Sequence, residues 1–164
     1  MTAQSSTRAF TLPPRRGSRP ETTRPTPERP TPHQQTSQNA PPELQEAVFE
    51  RARALPGITV GDSCVSVPGA RAFRLDPALA RGPAEAFQCD QEFAHLHPVH
   101  DGSLHLTLPR AVYQAVLEQG WGEPHPISGT MLLFGPRDTD ELDVIWRVLL
   151  ASYQFATGQT PDTT

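Results

Sequence analysis

The chain contains no lysine, only two cysteines, and no apolar run approaching the length of a membrane span. Each shortage excludes something. With no lysine, all 14 basic residues are arginine, and no cluster of them forms an evident anion site; composition bias is the simplest account. Cys64 and Cys89 stand too far apart in sequence for a short-spaced zinc framework, and two cysteines make no disulfide scaffold, so free, partly buried thiols are expected. The N-terminus has no apolar signal core, and the expectation is a soluble, cytoplasmic protein. There is also no phosphate-cradling glycine loop and no CxxC pair, and neither Ser103 nor Ser128 lies in the strand-turn-helix elbow of a nucleophilic serine.

Charge is unevenly spread along the 164 residues. Residues 1–42 hold six Arg and two acids, a balance of +4, while the remainder holds eight Arg against sixteen acids, or −8. A domain this acidic repels phosphate backbones, so nucleic acid is not an expected partner. Residues 1–41 are rich in Thr, Ser, Gln, Pro and Arg and nearly free of large apolar side chains, a composition that cannot offset the entropy of ordering. They read as a disordered tail with a polyproline-like stretch at Arg24–Pro32. Residues 42–158 are one domain, and 159–164 a frayed end.

Within that domain, Pro41-Pro42-Glu43 opens a helix that Pro56-Gly57 ends. Short β segments follow at 58–60, 65–67 and 70–75, then a helical turn, a loop and a strand near Ala84–Gln88. Pro109 and Gly120 bracket a second helix, Trp121–Ser128 reads as a stiff loop, and Thr130–Phe134 as a strand. Asp138 with Glu141 three residues on resembles a capping box, and Leu142, Ile145, Trp146, Leu149 and Tyr153 then repeat at helical spacing. The expected fold class is α+β, an antiparallel sheet with about three helices packed on one face.

Four of the six histidines fall between Glu92 and Leu108, and His125 follows soon after. Alternation on both sides of Asp101-Gly102 reads as a hairpin, and its register decides whether the rings cooperate. A two-residue turn would put His105 on the face opposite His95 and His97. A loop of odd length, which Pro98 makes plausible because it cannot donate to the ladder, would bring all three to one face. Such a face could hold a metal with help from Glu123 or His125, or could serve as general bases without metal. Asp101 could orient a ring or simply form the turn, and Trp121 could wall a pocket or simply pack in the core.

Four blocks carry a family likeness: Glu92-Phe93-Ala94-His95-Leu96-His97-Pro98, Asp101-Gly102-Ser103-Leu104-His105-Leu106, Gly120-Trp121-Gly122-Glu123-Pro124-His125-Pro126 and Phe134-Gly135-Pro136-Arg137-Asp138. Together they resemble the luciferase domain of fungal bioluminescence and its bacterial relatives, over roughly Pro42 to Gly158. The resemblance implies oxygenation of a hydroxylated styrylpyrone, 3-hydroxyhispidin, without metal or flavin. An endoperoxide-like adduct then loses CO2 and leaves an excited product. On that basis the expected function is a cofactor-independent oxygenase acting on an enolic or phenolic small molecule, with molecular oxygen as co-substrate. His95, His97 and His105 would be catalytic, and His100, Asp101, Trp121, Glu123, His125 and Arg137 would bind substrate, with no metal and no membrane partner. A binding or interaction module without catalysis, and a histidine-ligated metal enzyme, stand as alternatives.

Overall fold

The computed structural model describes residues 9–162. Its elements follow in the order α1 (Pro42–Arg53), β1 (Ile58–Asp62), β2 (Arg71–Leu75), a 3-10 turn (Ala84–Ala86), β3 (Glu92–Leu96), β4 (Leu104–Leu106), α2 (Arg110–Glu118), β5 (Gly122–Pro124), β6 (Met131–Leu133) and α3 (Thr139–Thr157). The six strands form one antiparallel sheet in the order β1-β2-β3-β4-β6-β5, with the helices on one face, as the α+β reading expected.

The apolar side chains of the inner strands decide which face that is. Phe73, Ala94, Leu96, Leu104, Leu106, Met131 and Leu133 are all fully buried and join one core with Val48 of α1, Val112 and Val116 of α2, and Ile145, Val148 and Leu149 of α3. Helix α3 is held at both ends as its sequence suggests. Asp138 Oδ1 accepts the Glu141 N–H at 2.9 Å, and Gly158 closes the C-terminus in the left-handed conformation. Glu141 reaches back to the Arg137 N–H rather than to residue 138, so the reciprocal half of the box is displaced by one residue.

Three local expectations are corrected. The segment near Ala84–Gln88 is a 3-10 turn and not a strand, because Pro83 opens it and the chain must then turn toward Cys89. Residues 65–67 are irregular. Gly122–Pro124, expected as loop, pairs with Met131–Leu133 as an edge strand, a position where proline and glycine are tolerated.

The largest difference is the N-terminal segment. The disorder expected of residues 1–8 lies outside the described residues, but residues 9–41 do not follow it: they form a strap across the domain. Leu12 is buried and Phe10 packs against the core beneath the Arg147 guanidinium. The Trp121 indole N–H donates to Pro13 O at 2.7 Å, and the Arg15 N–H to Gln119 O at 2.8 Å. Residues 21–36 then double back as a two-legged arm, with bridges at Thr22–Gln35 and Thr26–Arg29. The composition argument fails here because the segment is held by hydrogen bonds and charge rather than by a core of its own. Gln35 is its anchor: fully buried, it accepts the Gly135 N–H at 3.0 Å and donates to Ser37 O and Gln38 O. Gln35→Ala is expected to destabilise the protein by about 1–3 kcal/mol by stranding the Gly135 N–H. Urea unfolding measures that loss, and amide exchange should show Thr23 and Thr36 losing protection in the variant first.

Candidate functional site: a histidine-floored cleft

The register of the hairpin answers the question the sequence posed. His95 pairs directly with His105, flanked by Ala94–Leu106 and Leu96–Leu104. The loop is therefore odd, running from Pro98 to Gly102, with the Asp101 and Gly102 N–H groups both bonding to Pro98 O. Gly102 takes a positive φ of 75°, and a Cβ there would collide with the Gln45 amide that ties α1 to this loop through Val99 O. His95, His97 and His105 consequently share the sheet face opposite the helices.

A second irregularity adds a carboxylate to that face. The β2–β3 register shifts between Phe73 and Arg74, so that Phe73 opposes Ala94 while Arg74 opposes Glu92. The bulge at Phe93 reverses the alternation. Phe93 joins the core against Tyr153, and Glu92 turns to the histidine side, where Oε1 lies 2.9 Å from His95 Nδ1. On the neighbouring strands, Leu132 and Glu123 occupy the same face through their pairings with His105 and with each other.

Above this floor opens a cleft of about 560 Å³ lined by His33, His95, His97, His105, His125 and Thr107, with apolar walls at Val65, Val67, Phe87 and Ile127. His33 comes from the strap, and nothing in its Pro-rich surroundings marks it out in the sequence. It is buried, with Nε2 2.7 Å from Glu123 Oε1 and Nδ1 2.9 Å from His105 Nε2. One edge of the cleft is shaped by the loop at 63–67, which the Cys64–Cys89 disulfide ties to the start of β3. The expected free thiols are thus corrected: the fold brings the two Cα atoms to 6.6 Å, within bonding range.

The ring protons follow from the hydrogen-bond network. Glu92 accepts from Ser63 Oγ, the Cys64 N–H and His95 Nδ1, which places a proton on that nitrogen. Asp101 Oδ1 accepts from the Ser103 N–H and Ser103 Oγ; the hydroxyl oxygen is then an acceptor 2.9 Å from His97 Nδ1. Asp101 Oδ2 lies 2.8 Å from the same nitrogen, off the line of its N–H, so His97 is also protonated on Nδ1. His33 donates to Glu123 through Nε2, accepts from His105 Nε2, and leaves His105 Nδ1 without a proton. His125 differs: its Nδ1 accepts the Ile127 and Ser128 N–H groups and its Nε2 donates to Pro30 O. Both of its nitrogens are occupied.

Burial lowers the proton affinity of His95 and His125, and that of His105 strongly, with the neighbouring rings adding to the effect at His105. Burial would raise the Glu92 carboxyl, but the bonds from His95, Ser63 and Cys64 outweigh it and hold it low. His95, His105 and His125 are therefore neutral at neutral pH, with Glu92 ionised behind His95.

The remaining sequence candidates lie elsewhere. Asp101 is buried behind His97. Glu123 is covered by the strap through Arg19 and His33 and serves as its anchor rather than as a lining residue. His100 is exposed, with Gln34 as its neighbour. Trp121 is buried on the core side, and Arg137 pairs with Glu141, Gln38 and Arg16 O outside the cleft. Residues missed by sequence reasoning include His33, Glu92 and Gln88, the last a lining residue that donates to His105 O.

Fold and cleft together define an α+β protein whose sheet carries a buried imidazole cluster on its helix-free face. Residues 90–152 match the family model described as Luciferase domain. The chain is 28% identical to a luciferase of Armillaria ostoyae over 171 aligned positions, covering 93% of this chain and 64% of that protein. It is 26% identical to a luciferase of Armillaria mellea, covering 90% and 62%. Against a luciferase of Neonothopanus nambi the identity is 34% over 77 positions, covering 42% and 29%. The chain is thus similar to the luciferase domain over residues 90–152, and to proteins named luciferase over most of its length. It spans less than two thirds of the length of these curated relatives, and no solved structure gives a significant match. At 93% coverage only about a dozen residues fall outside the aligned stretch, so His33 lies within it.

Burial would raise the Glu123 carboxyl, yet hydrogen bonds from His33, Thr22 and Arg19 prevail and hold it at about 2. A depressed carboxylate contributes stability that is fully present above its unfolded value of about 4.3 and is lost as pH falls through the folded one. Thermal melts from pH 7 to pH 2 should show wild type more stable than Glu123→Gln at pH 7, the two curves converging at the acid end. A gap independent of pH would refute this role.

Proposed function

We propose that the cleft binds a small molecule bearing an acidic enol or phenol hydroxyl and promotes its oxygenation, with molecular oxygen as co-substrate. The observation that carries this reading is the set of buried imidazoles on the cleft floor, each backed on its outer nitrogen by a carboxylate, directly at His95, through Ser103 at His97 and through His33 at His105. Likeness to proteins named luciferase supports an oxidative reaction. The cleft's size and its apolar walls at Val65, Val67, Phe87 and Ile127 suit a flat, largely apolar molecule with one polar edge.

The chemistry follows from charge. Removing the hydroxyl proton leaves an enolate, the electron-rich form with which oxygen reacts. A ring that gains positive charge beside it is stabilised from behind, His97 by Asp101 at 2.8 Å and His95 by Glu92 at 2.9 Å. Low-dielectric surroundings strengthen both contacts, as general acid-base and electrostatic catalysis require. His97 has support of two kinds, a hydrogen bond from its Nδ1 to Ser103 Oγ and the Asp101 carboxylate 2.8 Å from the same nitrogen.

An oxygen electrode tests the reading. Full-length protein given an enolised 2-pyrone should consume oxygen, with kcat/KM falling by about 10²–10⁴ in His97→Ala. Arg53→Ala, at the exposed end of α1, should leave uptake at the wild-type rate. Equal uptake in wild type and His97→Ala would refute the proposal.

A further inference from the structure

The three floor histidines present an arrangement that hydrogen bonding within the protein does not complete. Their outer nitrogens are all protonated and held: His95 Nδ1 by Glu92, His97 Nδ1 by Ser103 Oγ with Asp101 behind it, and His105 Nε2 by His33, which is backed in turn by Glu123. Their inner nitrogens therefore all carry lone pairs. His97 Nε2 and His105 Nδ1 face each other at 3.1 Å. His95 Nε2 belongs to a ring only 2% exposed and has no hydrogen-bond partner. One nitrogen from each ring lies within 4.8 Å of one from each of the others.

A single proton shared between His97 and His105 would satisfy that pair and leave His95 Nε2 stranded, a buried acceptor costing about 1–3 kcal/mol. A cation satisfies all three at once. Two imidazole ligands on one tetrahedral ion, at bonds of about 2.0–2.1 Å, have nitrogens roughly 3.3 Å apart, close to the observed pair. The outer contacts match what metal-bound histidines require, an acceptor on the second nitrogen that fixes ring and tautomer. His125 is the fourth ring of the cleft wall and is unsuited, since both of its nitrogens are already bonded.

We propose that His95 Nε2, His97 Nε2 and His105 Nδ1 bind one divalent first-row transition-metal ion at the cleft floor, with the ion's remaining positions open to the cleft. Three neutral nitrogen donors with no thiolate favour ions of the iron-to-zinc series over magnesium or calcium. This departs from the metal-free chemistry that the family resemblance implies. It rests on the same cleft as the reading given above but changes the role of the rings: once Nε2 ligates the ion, His95 and His97 no longer accept a proton, and the cation instead stabilises an enolate oxygen, while the binding itself needs no substrate.

Full-length protein stripped with a chelator and desalted should bind one Co2+ per chain, with a visible absorption band typical of nitrogen ligation, and one Zn2+ in competition with a chromophoric chelator. Both ions should raise the melting temperature. His95→Ala, His97→Ala and His105→Ala should each weaken Zn2+ binding at least about 100-fold. Asp101→Asn, which keeps the shape of the outer contact, should weaken it about 10–100-fold. Failure of folded wild type to bind either ion at millimolar concentration overturns the proposal, as does binding that is unchanged in folded Asp101→Asn and His97→Ala. Oxygen uptake is measured separately. Metal binding without uptake keeps the site and removes the oxygenase reading, whereas uptake by protein that binds neither Co2+ nor Zn2+ removes the site and keeps the oxygenase reading.

Discussion

The direct pairing of His95 with His105 is the contact on which the rest of the cleft depends. An antiparallel pair fixes which side chains share a face, and a slip by one residue would send every second one to the other side. Here that sorting places Leu96, Leu104 and Leu106 under the helices and the imidazoles on the opposite face. The bulge at Phe93 then breaks the alternation once, at the point where it delivers Glu92 to the histidines and Phe93 to the core. Without the bulge, a carboxylate would face the apolar layer and a phenyl ring would face the imidazoles. Two backbone irregularities, an odd loop and a bulge, thus convert an ordinary hairpin into a polar floor beside an apolar core.

Burying so many polar groups on a sheet face is costly unless each finds a partner, and the strap supplies those the sheet lacks. His33 joins His105 to Glu123, and Arg19 covers the far side of the same carboxylate. Gln35 and Asn39 satisfy loop groups at Gly135 and Asp101. The strap is therefore part of the domain's hydrogen-bonding economy, although it contributes only Leu12 and Phe10 to the core.

The sequence made the helices legible because their apolar periodicity and end signals agree, as at Asp138 and Gly158 of α3. It narrowed the hairpin to two registers without choosing between them, Pro98 making plausible the odd loop that the structure has. The bulge was invisible, since a run reading Glu-Phe-Ala-His alternates acceptably either way. Trp121 and Arg137 looked like pocket residues because they stand near histidine and carboxylate in sequence, but each turns instead to the strap, at Pro13 O and Arg16 O. His33 could not be found by periodicity or motif. Its position is set by long-range polar contacts, which leave no repeating pattern in the chain.

One sequence feature did carry the information, although composition pointed the other way. The first 42 residues hold a charge of +4 and the rest −8. Low apolar content argues for a free tail, whereas opposite charge argues for a docked one, and here the second consideration decides. Arg16 meets Asp138, Arg19 meets Glu123, and Arg15 lies near Glu141, its own proton affinity lowered chiefly by burial. Exposed ion pairs are worth little singly, but Arg19 and Glu123 join through a carboxylate that is nearly buried. The same contact holds His33 in line with His105, so the charge that docks the strap also orients the floor of the cleft. A boundary drawn at Pro41 on composition would cut that connection, stranding Glu123 and the outer nitrogen of His105 together. The functional unit thus begins within the strap rather than at the first helix.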